Sequence, residues 1–369
     1  MKHATKFSLM LSVTLCAALS LGAASAQPAA PRPPAEDAPP RDPHIVSPTA
    51  SPDAKLTPDA PMLPYHLVQR APLPVKTTLV SAVGLTPQGH QIFLTRNPAA
   101  MLLEFDQNDK FLRTFNPDMA IGPHGLRVDS HGNIWVTDSF LDVVWKLNAK
   151  GEPLMELGIR GEDKPWDDSK WNGAFNQPLD IAFDKDDNFY VIQGHGGTSN
   201  PLNCSFCMTY ARAKPEVPPG SDPRLFKFDK NGNYLTSRAL PHADGTYPTN
   251  HTVIVTPKGE IWASDRQQQL IKVFDLNLNP LREMHEPRLV SGLFVDAKGQ
   301  VWMSAGMDGR IFKLADDGKV LGWIGEPGRS ADPNAPGIGE AHYLAVTPDE
   351  NTIYMADSVN GKILEWKHN

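Results

Sequence analysis

Cysteine is scarce in this chain of 369 residues: there are three, and past the first 26 residues only Cys204 and Cys207 remain, in "CSFC". Without a second Cys-x-x-Cys there is no four-thiolate zinc set. In an exported chain two such thiols form a local disulfide or stay structural more readily than they bind metal. Clustered lysine and arginine are also missing. With a formal net charge of −7 and no basic stripe, the chain lacks what nucleic-acid phosphates demand. Long apolar runs are confined to the start, where Lys2 and Lys6 precede "FSLMLSVTLCAALSLGAA" and Ala24-Ser25-Ala26 offers small residues for cleavage. That is the grammar of a secretory signal, with Gln27 as the first mature residue. The run is short for a membrane anchor and ends in the cleavage pattern. Leu15 stands where a lipobox cysteine at Cys16 would need a small residue. A periplasmic or secreted protein with no membrane span after signal removal is expected. The signal holds two lysines and no acid, so its loss takes the charge to −9.

Residues 27–64 have hardly a large apolar side chain and are dominated by Pro, Ala and Asp. Such a segment cannot offset its ordering entropy by burial, which predicts an extended linker or disordered arm. The remainder, 65–369, is repetitive. "GPHGLRVDSHGNIWVTDSF" (122–140), "PTNHTVIVTPKGEIWASDR" (248–266) and "GEAHYLAVTPDENTIYMAD" (339–357) share one scheme with segments at 79–97, 176–194 and 288–306. An apolar strand, a turn, an aromatic-containing strand and a polar corner follow one another with period-2 alternation. A third strand comes next, as in "VVWKLNAKGEPL". The spacing fits one four-stranded blade per copy, so six copies predict an all-β, six-bladed β-propeller, and the copies resemble NHL-type repeats. The first copy starts at its inner strand and the last lacks an outer one. A segment near 65–77 is expected to supply that strand and close the ring.

Aligning the inner strands brings one register position into view: Ser81, His124, Leu179, His251, Ser291 and His342. Histidine occupies blades two, four and six, so the three imidazoles should converge about the channel axis. Three neutral imidazoles at one point make a zinc site with a vacant fourth position. A lone histidine there would be read as a local corner hydrogen bond, and the threefold register reverses that preference. The other histidines outside the expanded corner read as surface or turn residues. At the same end lie Arg96, Asp138, His195, Asp265, Arg266 and Asp357. The aspartates read as corner caps, and Arg96 as a fork for a carboxylate. The third blade's corner expands into "GHGGTSNPLNCSFCMTYARAKPEVPPGSDP". It is either a lid or a stabilising flap, with His195 and Tyr210 as candidates for proton transfer.

The segments "PHGLRVDSHGNIWVTD", "FNQPLDIAF" and "NHTVIVTPKGEIWASDR" resemble the peptidyl-α-hydroxyglycine α-amidating lyase family, over about residues 77–369. The resemblance implies zinc on His124, His251 and His342, an active-site arginine at Arg96, and cleavage of a peptidyl-α-hydroxyglycine to a peptide amide and glyoxylate. It also implies a structural calcium on the carbonyls of Val83 and Leu126. In three places the pattern departs: His195 stands where the family has its catalytic tyrosine, Tyr343 replaces an aspartate that ligates calcium, and Glu340 replaces a methionine. Glu340 could then act as a base or an extra ligand.

The expected function is a metal-dependent carbon–nitrogen lyase on a small-molecule or peptide substrate, working as a monomer. In it zinc acidifies the substrate hydroxyl, a base (His195, or else Tyr210 or Glu340) takes the proton, and Arg96 holds the carboxylate. Two rivals stand beside it: a zinc hydrolase or lactonase, and a non-catalytic binding propeller.

Overall fold

The computed structural model describes residues 58–68, 70, 73–77, 79–161, 171–194, 223–240, 250–266, 268–325 and 338–369. The expected signal, most of the linker and the third-blade corner with His195, Cys204, Cys207 and Tyr210 lie outside them. The described strands form six four-stranded antiparallel sheets, in the order of a propeller. Their innermost strands are Val80–Leu85, Pro123–Val128, Pro178–Phe183, Asn250–Val255, Val290–Val295 and Ala341–Val346.

The sequence pattern explains the layering. Second strands such as Ile134–Asp138 and Val301–Ala305 are buried throughout, because neighbouring blades cover both faces. Outer strands such as Phe111–Phe115 and Pro280–His285 mix exposed residues with more buried ones, as a strand covered on one face does. The core therefore lies between blades. One cluster packs Ala82, Ile92 and Leu94 of blade one on Val136 and Trp145 of blade two, and another packs Trp302 and Ile311 of blade five on Leu344 and Ile353 of blade six.

Closure follows the expected route. Tyr65–Val68 pairs antiparallel with Lys362–His368, Tyr65 opposite His368 and Val68 opposite Glu365, and becomes the fourth strand of the last blade. Packing begins even earlier in the chain, within the stretch read as linker. The Leu63 amide donates to the Trp323 carbonyl at 2.7 Å, and the Trp323 indole donates to the Ala60 carbonyl at 3.1 Å. Among the described residues no helix is long and apolar enough to cross a membrane.

Candidate metal centre

Each histidine is aimed by a bulge. In blade two Pro123 pairs with Asp138 and Leu126 with Val136, so His124 and Gly125 together oppose the single residue Thr137. The same slip occurs between Asn250 and Val253 and between Ala341 and Leu344, around His251 and His342. A bulge of this kind re-aims a side chain that regular pleating would point elsewhere. Gly125 is required there, because a Cβ on it would run into the Leu179 carbonyl oxygen. The entry to the strand is fixed by the corner aspartate. Asp138 accepts the amides of Ile121 (2.7 Å), Gly122, Phe140 and Leu141, and Asp357 accepts those of Gly339 (2.9 Å), Glu340, Val359 and Asn360. The reading of these two aspartates as caps therefore holds. Burial raises the Asp138 carboxyl above its ordinary range even against those four amides.

The three imidazoles converge. His124, His251 and His342 are buried, with one ring nitrogen of each within 4.8 Å of the others. Nδ1 of His124 lies 3.0 Å from the Leu179 carbonyl, Nδ1 of His251 is 2.5 Å from that of Ser291, and Nδ1 of His342 is 2.6 Å from that of Ser81. These are the register-equivalent residues of blades three, five and one, so every blade without a histidine supplies a carbonyl to one that has it. A carbonyl only accepts, so each Nδ1 carries the proton and each Nε2 presents a lone pair. Burial pushes the His342 imidazole down to about 4; the Glu340 carboxylate opposes this, and Arg266 and Arg96 add to it. At neutral pH, then, the Nε2 atoms of His251 and His342 face each other at 3.2 Å without a proton of His342 to share. A tetrahedral ion held at ~2.0–2.1 Å from each nitrogen would separate them by about 3.3 Å. The donor set and its spacing fit a divalent transition metal such as zinc.

Two arginines stand at this end of the channel. They occupy the same register position, one residue past the second strand, in blades one and four. Arg96 donates from Nε to the Pro123 carbonyl at 3.2 Å and lies over the Phe140 ring. Arg266 is buried; its Nη1 is 2.8 Å from Glu340 Oε1 and 3.4 Å from His251 Nε2. The other Glu340 oxygen accepts from Ser358 Oγ at 2.6 Å. Both Glu340 oxygens are thus engaged beside the histidines, an arrangement that holds Arg266 more readily than it takes up a proton. The sequence put Arg266 at this end of the ring without giving it a role. Its register match to Arg96 was the signal that could have found it.

Below the histidines the layer holds the Tyr343 phenol and the Arg127 guanidinium. Tyr343 is buried and donates its hydroxyl to the carbonyl of His251 at 2.9 Å. Val83 and Leu126 are buried on the inner strands. In blade five Leu293 holds their register position, and its carbonyl accepts from Arg127 Nη2 at 2.9 Å. The positive charge in that layer is a guanidinium. Among the described residues the three histidines are the only cluster of three or more His, Cys, Asp or Glu placed to share one ion.

A 281-residue stretch is 23% identical to the Caenorhabditis elegans protein described as a probable peptidyl-α-hydroxyglycine α-amidating lyase, covering 69% of this chain and 67% of that one. Its homologues include the amidating lyases. With peptidyl-glycine α-amidating monooxygenase A of Xenopus laevis the identity is 29% over 185 residues, 48% of this chain and only 16% of the frog protein. NHL repeat-containing proteins are homologues as well. No protein-family model matches the chain. Among solved structures, a gluconolactonase of Xanthomonas campestris superposes with a TM-score of 0.55 at 15% identity, over 79% of this chain and 86% of that one, a likeness of fold.

Proposed function

We propose that the protein is a zinc-dependent lyase that splits the C–N bond of a carbinolamide of the peptidyl-α-hydroxyglycine type, giving an amide and glyoxylate. The observation that carries this reading is the set of three buried imidazoles, each with Nδ1 tied to a strand carbonyl and Nε2 turned to a common point. The similarity to amidating lyases over most of the chain supports it. His124, His251 and His342 would hold the metal, and a zinc ion there supplies a Lewis acid that makes a substrate hydroxyl more acidic.

The chain's own groups do the rest. Arg96 and Arg266 bring two guanidinium groups to one end of the channel, suited to orienting a substrate carboxylate. Glu340 balances the charge of Arg266 through their 2.8 Å contact. A base removes the hydroxyl proton; the C–O bond gains its second bond as the C–N bond breaks, and the departing amide nitrogen takes up a proton. His195 is our candidate base, with Tyr210 second. Glu340 ranks last because both its oxygens are engaged. The signal-like N-terminus supports a periplasmic or secreted location, and the substrate would be a small molecule or peptide.

Purified full-length protein and His251→Ala, dialysed and assayed for bound zinc and for glyoxylate released from a synthetic peptidyl-α-hydroxyglycine, provide the test. One zinc per chain and glyoxylate release, both lost in His251→Ala, are expected. Bound zinc without glyoxylate, together with hydrolysis of a lactone or ester, would move the assignment to a hydrolase. An absence of zinc from both proteins would leave a binding propeller.

A further inference from the structure

Directly beneath the three histidines lies a second layer of side chains: Tyr343, Asp180 and Thr252 stand one residue past the histidine register position on their inner strands, and Arg127 three residues past His124. The Tyr343 ring touches all three imidazoles, with centroids 5.9 Å from His124, 5.9 Å from His251 and 5.0 Å from His342. Its hydroxyl reaches the His251 carbonyl at 2.9 Å and the Leu179 carbonyl at 3.3 Å. The Leu179 carbonyl also accepts from His124 Nδ1, so one phenol meets the anchor of one ligand and the backbone of another. Arg127 of blade two also lies over that ring, 5.3 Å from its centroid. It grips Asp180 of blade three with a fork (Nε to Oδ1 at 2.9 Å, Nη2 to Oδ2 at 2.5 Å), and donates to Thr252 Oγ1 of blade four at 3.2 Å and the Leu293 carbonyl of blade five at 2.9 Å. Asp180 in turn accepts from the Thr252 hydroxyl at 2.7 Å and the Val253 amide at 3.0 Å. Five of the six blades meet in this one buried network.

A propeller ring has no covalent device fixing its inner diameter, and the spacing of three ligands on alternate blades depends on that diameter. We infer that Tyr343, held by the Arg127–Asp180 pair, is a positioning residue that sets the spacing of the three imidazoles and seals the channel below them, so that ligands reach the site from one end only. This rests on the reading of the three histidines as a metal site. Partners that orient first-layer ligands are worth about 10- to 100-fold in metal affinity when removed.

Cobalt(II) is the probe, because its visible bands report coordination geometry independently of turnover. The full-length apoprotein and Tyr343→Phe are titrated with cobalt(II) against a competing chelator. The phenylalanine keeps the ring and removes only the hydroxyl, so it is the variant best able to fold. A second variant, Arg127→Met with Asp180→Leu, removes the pair beneath without leaving either charge alone, and Trp302→Phe serves as a remote destabilised control. Wild type should bind one cobalt with a tetrahedral spectrum. Tyr343→Phe should bind about 10-fold or more weakly with altered bands, the double variant more weakly still, and the control normally. If wild type binds cobalt and Tyr343→Phe matches it in affinity and spectrum, or if Trp302→Phe reproduces the change, the inference is wrong while the metal site stands. If wild type binds no cobalt, the metal site and the inference fall together.

Discussion

A buried carboxylate fixes the corner from which the His342 strand starts. Asp357 is fully buried and collects four backbone amides, those of Gly339 and Glu340 just before that histidine's strand and those of Val359 and Asn360 just after the blade's second strand. Each buried donor left without a partner costs about 1–3 kcal/mol. Asp357→Ala is therefore expected to lose about 3 kcal/mol or more of stability, read from urea unfolding of the full chain. The same variant should hold metal less tightly, since the strand entry of His342 loosens. An unchanged unfolding midpoint would show that water replaces the carboxylate and that the corner is not what aims the ligand. At this scale the sequence was informative wherever one register position repeats: the three histidines and the aspartate caps were readable. Arg127 was not, because nothing in "GLRVD" shows that its guanidinium reaches blades three, four and five.

At the scale of the strand and blade, pairing across a sheet carries charge as well as backbone bonds. In blade four, Arg282 on the outer strand forks onto Glu260 of the second strand at 2.6 and 2.7 Å and also reaches the Asp316 carbonyl of blade five at 3.0 Å. Its hydrogen bonds hold the Glu260 carboxyl below the usual carboxylate range, against the opposing effect of desolvation. A carboxylate with a depressed folded-state pKa contributes stability that is present above its unfolded value of about 4.3 and is lost as pH falls through the folded value. Arg282→Gln should therefore be modestly less stable than wild type at pH 7, the pair being partly solvated. The difference should shrink toward zero in strong acid. Denaturant melts across that range measure it, and a deficit constant with pH would assign the loss to packing of the arginine stem. Blades were legible in the sequence because each repeats a strand, turn and strand pattern. The bulges were not, since an inserted residue leaves that pattern almost unchanged.

The whole molecule depends on a closure between the two ends of the described chain. Tyr65–Val68 completes the sheet that Lys362–His368 would otherwise leave open. A chain lacking residues up to 68 should expose that strand's edge, associate into oligomers, and unfold roughly 5–10 °C lower. Light scattering and a thermal melt decide the matter. A monomer with an unchanged melt would mean that the last blade is self-sufficient with three strands.

By itself the sequence determined the number of blades, the missing strand and the blades that carry histidine, because each is a matter of repetition along the chain. Only the tertiary structure decided that the carbonyls of the other three blades orient the imidazoles, that Arg266 and Glu340 pair beside them, and that Arg127, Asp180 and Tyr343 fill the channel beneath. These contacts join residues up to 261 positions apart. The physical reason is that a ring brings onto one axis side chains that local pattern keeps far apart, and their charges and hydrogen bonds acquire meaning only once that axis exists.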